Sequence, residues 1–140
     1  MTVSGGSFHM YGGEISNGTA VTYAGNISFV TSSSSGLLLG GQIRGGSAGD
    51  YANCVYVNNN NVVVGGTVQV DELLLGAGKS ITVSTEASFA EGAAIGLALL
   101  NPPTNYSTVI QNYSDLQWFA CTMENYILDV NDNTIVMRPQ

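Results

Sequence analysis

The sequence has few charged residues, and most of them are acidic. Only 9% of its 140 residues are charged, with three Lys or Arg against ten Asp or Glu and a formal net charge of −7. Nucleic-acid binding requires clustered basic side chains that displace counterions from phosphates, and docking on an anionic membrane needs the same charge. The composition therefore argues against a nucleic-acid partner and against electrostatic membrane docking.

Long apolar runs are also absent. The longest one lies around residues 95–100, far short of the ~20 apolar residues that a transmembrane helix needs. Residues 1–20 lack the basic start and apolar stretch of a signal peptide. We expect no membrane insertion. We interpret the chain as a mature or excised piece of a larger exported protein, with a cytoplasmic location left open as the alternative.

Residues that bind metals or form disulfides are scarce. Two cysteines, Cys54 and Cys121, are too few for a disulfide framework, and their apolar neighbours predict small buried side chains. A bridge between them stays open as the alternative. His9 is the single histidine and cannot form a zinc site without several further ligands. Residues 129–133 carry oxygen ligands but lack the Gly and final Glu of a calcium loop, so we predict a hairpin turn, no metal and no cofactor.

A six-residue pattern, in contrast, occurs three times. An apolar pair, Gly-Gly, a polar residue and a β-branched residue fill positions 10–15, 38–43 and 63–68. The glycine pairs begin at positions 12, 40 and 65, which are 28 and 25 residues apart, and periods of this size indicate a solenoid. Short β-branched runs between Gly and Asn turns predict about three strands in each period. The predicted fold is an all-β parallel β-helix of about three rungs.

The repeat is lost after residue 83. We predict strands at 95–99, 107–110, 126–130 and 134–137, the last two closing as a hairpin. A solenoid end exposes unpaired strand backbone that must be covered. We therefore assign residues 1–83 to the rungs and residues 84–140 to a β-rich C-terminal cap, within one structural domain.

The N-terminal end has no comparable cover. Only residues 1–7 precede the first rung, and an open rung is a template for strand pairing. We expect further rungs upstream in the natural protein, or self-association through this rung.

The stretch from residue 7 to residue 20, Ser-Phe-His-Met-Tyr-Gly-Gly-Glu-Ile-Ser-Asn-Gly-Thr-Ala, resembles the repeat of bacterial cell-surface, adhesin-like proteins. The later copies keep only the apolar, Gly-Gly and β-branched positions, and residues 81–137 are similar to the segment that closes such regions. The resemblance implies a right-handed parallel β-helix, an extracellular or cell-surface location in a bacterium, and a glycan or host-surface protein as partner. It carries over no catalytic residue.

Aligning the three copies predicts two ladders of polar side chains on the outer surface. The first ladder contains Glu14, Gln42 and Thr67, and the second contains Ser16, Arg44 and Gln69. Because side chains alternate along a strand, both ladders lie opposite Ile15, Ile43 and Val68. Such a stripe can hydrogen-bond sugar hydroxyls. The alternative is a solvated sheet face with a surface ion pair between Glu14 and Arg44.

The strand before each Gly-Gly predicts a second outward set. If Phe8 and Met10 point inward, His9 and Tyr11 point outward. The same alignment adds four apolar side chains to this outer face: Leu37, Leu39, Val62 and Val64. Monomers rarely expose such a face, so we expect either the C-terminal segment or a partner subunit to cover it. A one-residue shift in pairing would exchange the inward and outward sets.

The candidate ligand-contact residues are thus His9, Tyr11, Glu14, Gln42, Arg44 and Gln69. Glycosidases need two carboxyls at a defined separation, whereas the acidic residues here are scattered, and adjacent residues such as Asp71 and Glu72 face opposite ways on a regular strand. The predicted function is a non-catalytic structural or adhesive module of a bacterial surface protein, as a C-terminal fragment of a longer solenoid. The alternative is a carbohydrate-binding or polysaccharide-processing β-helix module.

Overall fold

The computed structural model describes residues 1–22, 24–49 and 54–140. Their strands wind into a parallel β-solenoid of about four turns, which confirms the predicted all-β fold and its parallel β-helix architecture. Three sides of the solenoid are defined by the strands that stack on them from turn to turn. Within the described ranges, no helix is long and apolar enough to cross a bilayer.

The strands are distributed over the three sides as follows. The first side stacks β1 (Thr2–Val3), β4 (Ile27–Phe29), β7 (Val55–Val57) and the second halves of β9 (Gln69–Leu75) and β11 (Ala94–Leu99). The second side stacks the first halves of β2 (Gly6–Ser16) and β5 (Ser34–Arg44), then β8 (Val62–Val64), β10 (Ile81–Val83) and β12 (Ser107–Gln111). The third side stacks the second halves of β2 and β5, the first halves of β9 and β11, and β13 (Phe119–Cys121).

The remaining elements lie at corners and at one end. Two short strands, β3 (Thr19–Ala20) and β6 (Ser47–Ala48), pair in the loops that join the third side to the first. A 3-10 helix, η1 (Leu116–Trp118), precedes β13. The hairpin of β14 (Tyr126–Asn131) and β15 (Thr134–Pro139) joins the second side antiparallel to β12.

Alternation along each strand builds the core. On the third side, Ile43, Val70 and Ile95 stack in successive turns with at most 3% of their surface exposed. Each fully buried side chain of this size stabilises the fold by about 1.5–3 kcal/mol relative to an exposed one. Strand pairing thus aligns one continuous apolar column along the solenoid and leaves the flanking residues on its outer surface.

The predicted register is right between the first two turns and wrong between the second and third. Glu14 lies opposite Gln42, as expected. Gln42, however, lies opposite Gln69 instead of Thr67. Leu38 and its partner Val64 are the last paired residues before the corner that leads to the third side. The corner contains residues 39–41 in the second turn and residues 65–68 in the third turn, so it is one residue longer in the third turn. Val70, not Val68, therefore follows Ile43 in the buried column.

A one-residue shift on the second side corrects the apolar outer face. Leu38 pairs with Val64 and Leu37 with Val63, so Val62 and Val64 point inward and are 0% exposed. A one-residue change in register moves every side chain to the opposite face. The outer apolar residues are instead Leu37, Leu39 and Val63, all half-buried. Beside them the chain after residue 83 pairs with Gly66, whose N–H donates to the carbonyl of Ala87 and whose carbonyl accepts from Ala90.

The boundary predicted at residue 83 is too early for the rungs. Three strands of the assigned cap continue the parallel stack: β11 pairs with β9, β12 with β10 and β13 with β11. The Gly-Gly marker is lost there, but the inward alternation of Ile95, Leu97 and Leu99 persists, with exposures of 5% or less. The strands predicted in residues 84–140 are confirmed. Among the described strands, only the β14–β15 hairpin leaves the parallel pattern, and it packs Ile135 and Met137 into the core.

Asparagine side chains fasten one corner to the next turn. Asn59 is 3% exposed, and its Nδ2 donates to the carbonyls of Thr31 and Ser34 at 2.9 and 3.0 Å. Its Oδ1 accepts from the backbone N–H of Asn61. Asn60 is an acceptor toward the following turn, because its Oδ1 accepts from the N–H of Ser80 at 3.0 Å. Side-chain amides thus satisfy backbone groups that the sheet leaves unpaired at the corner.

Both cysteines are free thiols. Cys54 is buried and its Sγ donates to the carbonyl of Ile43 at 3.1 Å, whereas Cys121 is half-buried at the far end of the solenoid. The alternative of a bridge between them is therefore not realised. Burial raises the pKa of the Cys54 thiol above its ordinary value.

Candidate functional site

The outer surface of the third side, here called the third-side face, collects most of the predicted contact residues. Glu14, Gln42 and Gln69 follow one another in register in its first row, and Ala94 comes next. The second row lies beyond the buried column and begins with Ser16 and Arg44, which are paired. Because parallel pairing fixes these positions from turn to turn, the rows form one continuous polar surface.

An ion pair crosses the first two turns of this face. Arg44 Nη2 lies 3.0 Å from Glu14 Oε2, and the two side chains are 56% and 42% exposed. The pKa of the Glu14 carboxyl is lowered most by a hydrogen bond from the Ser16 side chain and next by the contact with Arg44. Such exposed pairs are screened by solvent and salt, so this contact orients the two side chains more than it stabilises the fold.

The C-terminal end of the third-side face contains a groove of about 360 Å³, here called the tryptophan groove. Its floor is made of small residues: Ala94, Gly96 and Ala120. Its walls carry the half-buried ring of Trp118 and the polar side chains of Gln69, Asp71, Gln117 and Thr122. Apolar surface beside a few convergent polar groups is the usual composition of a small-molecule site.

Local sequence explains how Trp118 reaches this position. Asp115 caps η1, and its Oδ1 accepts from the backbone N–H of Gln117 at 3.1 Å. The Trp118 ring stacks on Phe89 with centroids 5.5 Å apart and an interplanar angle of 29°. Phe89 also meets Tyr113 and Phe119 edge to face at 5.9 and 5.5 Å. Aromatic pairs of this geometry hold their rings in place, so one side of Trp118 is anchored while the ring lines the groove.

A β-bulge beside the groove overturns one prediction about the acidic residues. Pairing shifts between Ile95 and Leu97, so Asp71 and Glu72 together oppose Gly96. The residues on either side of the bulge, Val70 and Leu73, are both buried. Asp71 and Glu72 consequently share the outer side, although adjacent residues on a regular strand alternate.

These two carboxylates accept hydrogen bonds from opposite directions along the solenoid, Asp71 from the preceding turn and Glu72 from the second following turn. Asp71 Oδ2 accepts from the Gly45 N–H at 3.0 Å, and Glu72 Oε2 accepts from Thr122 Oγ1 at 2.9 Å. Gln69 Nε2 donates to the carbonyl of Gly92 at 2.8 Å. The polar wall of the groove is therefore tied to the scaffold on both sides.

The structure separates the six predicted contact residues into two groups. Four of them lie on the third-side face: Glu14, Gln42, Arg44 and Gln69. His9 lies on the second side opposite Leu37, and Tyr11 lies at the corner opposite Gly40. Tyr11 is 67% exposed, and its hydroxyl is 3.4 Å from His9 Nδ1. His9 and Tyr11 thus form a separate pair on a different side.

Sequence reasoning missed the tryptophan groove. Aligning Val70 with Ile43, instead of aligning the glycine pairs, would place Gln69 opposite Gln42 in the next turn. No repeat marker, however, shows that Phe119 stacks on Ile95. That pairing brings Trp118 to Gln69 and Asp71.

A second groove of about 450 Å³ lies on the second side. Leu37, Val63, Thr82 and Gln111 form one outward row along it, and residues 84–86 and Asn112 border it. It includes two of the three half-buried outer apolar residues named above.

Two acidic residues of the β14–β15 hairpin, Asp129 and Asp132, have structural roles. Asp129 Oδ2 accepts from Arg138 Nε at 2.9 Å, and its Oδ1 accepts from the Val130 N–H. These contacts, the Arg138 bond first, lower the pKa of Asp129. Asp132 turns the chain with a φ of 54°. The predicted hairpin turn is therefore confirmed, and it consists of residues 132–133, since residues 129–131 belong to β14. In the part of the chain that the structure describes, no three His, Cys, Asp or Glu side chains are grouped as metal ligands.

No protein-family model, curated protein or solved structure matches the chain. The fold accordingly rests on strand pairing and burial, and the resemblance to adhesin-like surface proteins stays a prediction.

Proposed function

We propose that this protein is a non-catalytic module of a bacterial cell-surface protein, and that it binds a glycan or a host-surface protein through the third-side face. The observation that carries the proposal is the in-register row of Glu14, Gln42 and Gln69. These side chains project from paired strands instead of loops. Rigid strands hold contact groups in fixed positions and so lower the ordering cost of binding.

The titratable groups favour binding over catalysis. A general acid at neutral pH needs a raised carboxyl pKa, whereas the contacts of Glu14 and Asp129 lower theirs. Asp71 and Glu72 accept hydrogen bonds from the scaffold. Each of these acids thus has a structural partner that its catalytic use would disturb.

Self-association through the first rung remains part of the proposal. Among the described strands, β2 pairs with β5 alone, so its other edge presents backbone groups that a further strand can bind. Self-association through the apolar face no longer includes Val62 and Val64, because both are buried.

The second candidate is a carbohydrate-binding module, and the tryptophan groove favours it. Trp118 supplies an apolar ring, while Gln69, Asp71 and Gln117 supply amide and carboxylate groups beside it. These groups can bind a sugar without cleaving it.

A glycan array together with immobilised host-surface proteins tests the proposal. The double variant Gln42→Ala/Arg44→Ala removes polar groups from the third-side face, and Thr82→Ala/Gln111→Ala is the matched control on the second side. We expect the first variant to lose most of the binding and the control to keep it. Equal binding by both variants, no binding to any ligand, or release of sugars from a polysaccharide by the purified chain would overturn the proposal.

A further inference from the structure

We infer that the tryptophan groove is a subsite for one uncharged sugar ring of a glycan. The inference rests on the proposed function and names the ligand class that this end of the third-side face takes. Its volume of about 360 Å³ is near the lower end of the range for ligand sites, about 300–1,000 Å³. A groove of that size suits a single ring of a chain that continues over the open surface.

Small residues keep the floor of the groove shallow. Ala94 and Ala120 are exposed but carry only a methyl group. Gly96 has no side chain, and a Cβ there would collide with the carbonyl oxygen of Asp71 and with the Cγ2 methyl of Thr122. The bulge that opposes Gly96 to Asp71 and Glu72 thus excludes a larger side chain from the centre of the floor. A flat ring can therefore approach the backbone closely at Ala94 and Ala120, whereas the Thr122 methyl lies against Gly96.

The walls match the two surfaces of a sugar ring. A pyranose has an apolar C–H face and a rim of hydroxyls that donate and accept hydrogen bonds. The Trp118 ring lines the groove and is held by Phe89, so it can cover the apolar face. The amide nitrogens of Gln69 and Gln117 are bound to the Gly92 carbonyl and to Asp115 Oδ2. Both amides are thereby oriented before a ligand arrives, which lowers the entropy cost of binding.

Charge selects among sugars. Among the residues that the structure describes, Asp71 is the only ionisable one that lines the groove, and no Lys, Arg or His lines it. Arg44 lies in the second row of the third-side face, and its guanidinium donates to the Glu14 carboxylate. The whole chain carries a formal charge of −7. A uronate or another acidic sugar would therefore meet an unbalanced like charge, which opposes binding, whereas a neutral sugar would not.

The chain contains a single tryptophan, so its indole fluorescence reports on this groove. The experiment titrates the full chain with neutral oligosaccharides and, separately, with uronate-containing ones of equal length. Ala120→Leu fills the floor from an exposed strand position, and Ala77→Leu makes the same change at an exposed turn outside the groove. We expect a saturable fluorescence change with at least one neutral oligosaccharide, about tenfold weaker binding in Ala120→Leu, unchanged binding in Ala77→Leu, and no response to uronates.

Three results would overturn the inference: no saturable change with any neutral oligosaccharide, equal binding by Ala120→Leu, or an equal response to uronates. If ligands on the array still depend on Gln42 and Arg44 while Trp118 is silent, the subsite fails and the proposed contact face stands. If no ligand binds in either experiment, both fail.

Discussion

Gln42 lies directly opposite Gln69 on the third side of the solenoid, although the glycine pairs of their turns are only 25 residues apart. On the second side Leu38 pairs with Val64, a separation of 26 residues, and the extra corner residue of the third turn raises the separation to 27 on the third side. This register decides which side chains share the outer face, and the composition of the third-side face depends on it.

Engineered cysteines test the register directly. Neighbouring strands are about 4.8 Å apart, within the Cα separation of about 4.4–6.8 Å that a disulfide spans. In a Cys54→Ala/Cys121→Ser background, we expect Gln42→Cys/Gln69→Cys to cross-link under mild oxidation. Gln42→Cys/Thr67→Cys, the pairing that the glycine alignment predicts, should stay reduced. Peptide mass spectrometry distinguishes the two, and preferential cross-linking of the second pair would contradict the structure.

The same register predicts opposite behaviour for two adjacent valines. Val64 is fully buried, whereas Val63 is half-buried on the outer surface. Val64→Thr places a hydroxyl in the core without a partner and should lower the free energy of unfolding by about 1–3 kcal/mol. Val63→Thr should change it by less than about 1 kcal/mol. Urea denaturation measures both, and a larger loss for Val63→Thr would reverse the assigned faces.

The repeat predicted the fold class and the first step of each ladder, from Glu14 to Gln42 and from Ser16 to Arg44. The strands of the C-terminal region followed from local β-branched runs, where no repeat remains. The repeat could not predict which residues pair between the second and third turns. Gly13, Gly41 and Gly66 share positive φ values of 84°, 83° and 58°, so the glycines mark a common backbone turn. The residues around that turn differ in number, and only packing of Val64 and Val70 into the core fixes which ones pair. The tryptophan groove depends on the pairing of Phe119 with Ile95, for which the sequence holds no repeat.

Two neighbouring asparagines separate donor from acceptor roles at a corner. Asn59 is buried and donates to the Thr31 and Ser34 carbonyls, whereas exposed Asn60 accepts from the Ser80 N–H. Asn59→Asp replaces the donor by a carboxylate facing carbonyl oxygens, so we expect a loss of at least about 1–3 kcal/mol at neutral pH. The loss should shrink at acid pH, where the protonated acid donates again. Asn60→Asp keeps an acceptor and should be nearly neutral; equal losses in chemical denaturation would refute this division of roles.

Burial of Cys54 predicts a pH dependence of stability. Desolvation raises the pKa of this thiol in the folded chain, so the folded state disfavours the thiolate. Its contribution to stability is complete below the ordinary thiol pKa of about 8.5 and is lost as pH rises through the folded pKa. We expect the free energy of unfolding to fall above this pH in the natural chain but less in Cys54→Ala. Alkylation should label half-buried Cys121 first, and rapid labelling of Cys54 in the native protein would count against its burial.

Asp71 should control which sugars the tryptophan groove accepts. Asp71→Asn removes one negative charge while its side-chain oxygen can still accept from the Gly45 N–H. Binding of neutral oligosaccharides should therefore change little, whereas uronate-containing ones should gain affinity, because a like charge no longer opposes them. Asp132→Asn makes the same change of net charge in the hairpin turn, outside the groove lining, and should leave both affinities unaltered. Trp118 fluorescence titrations at low and high salt measure the effect. A uronate gain in both variants would indicate a net-charge effect, and no gain in Asp71→Asn would mean that this carboxylate does not set the specificity.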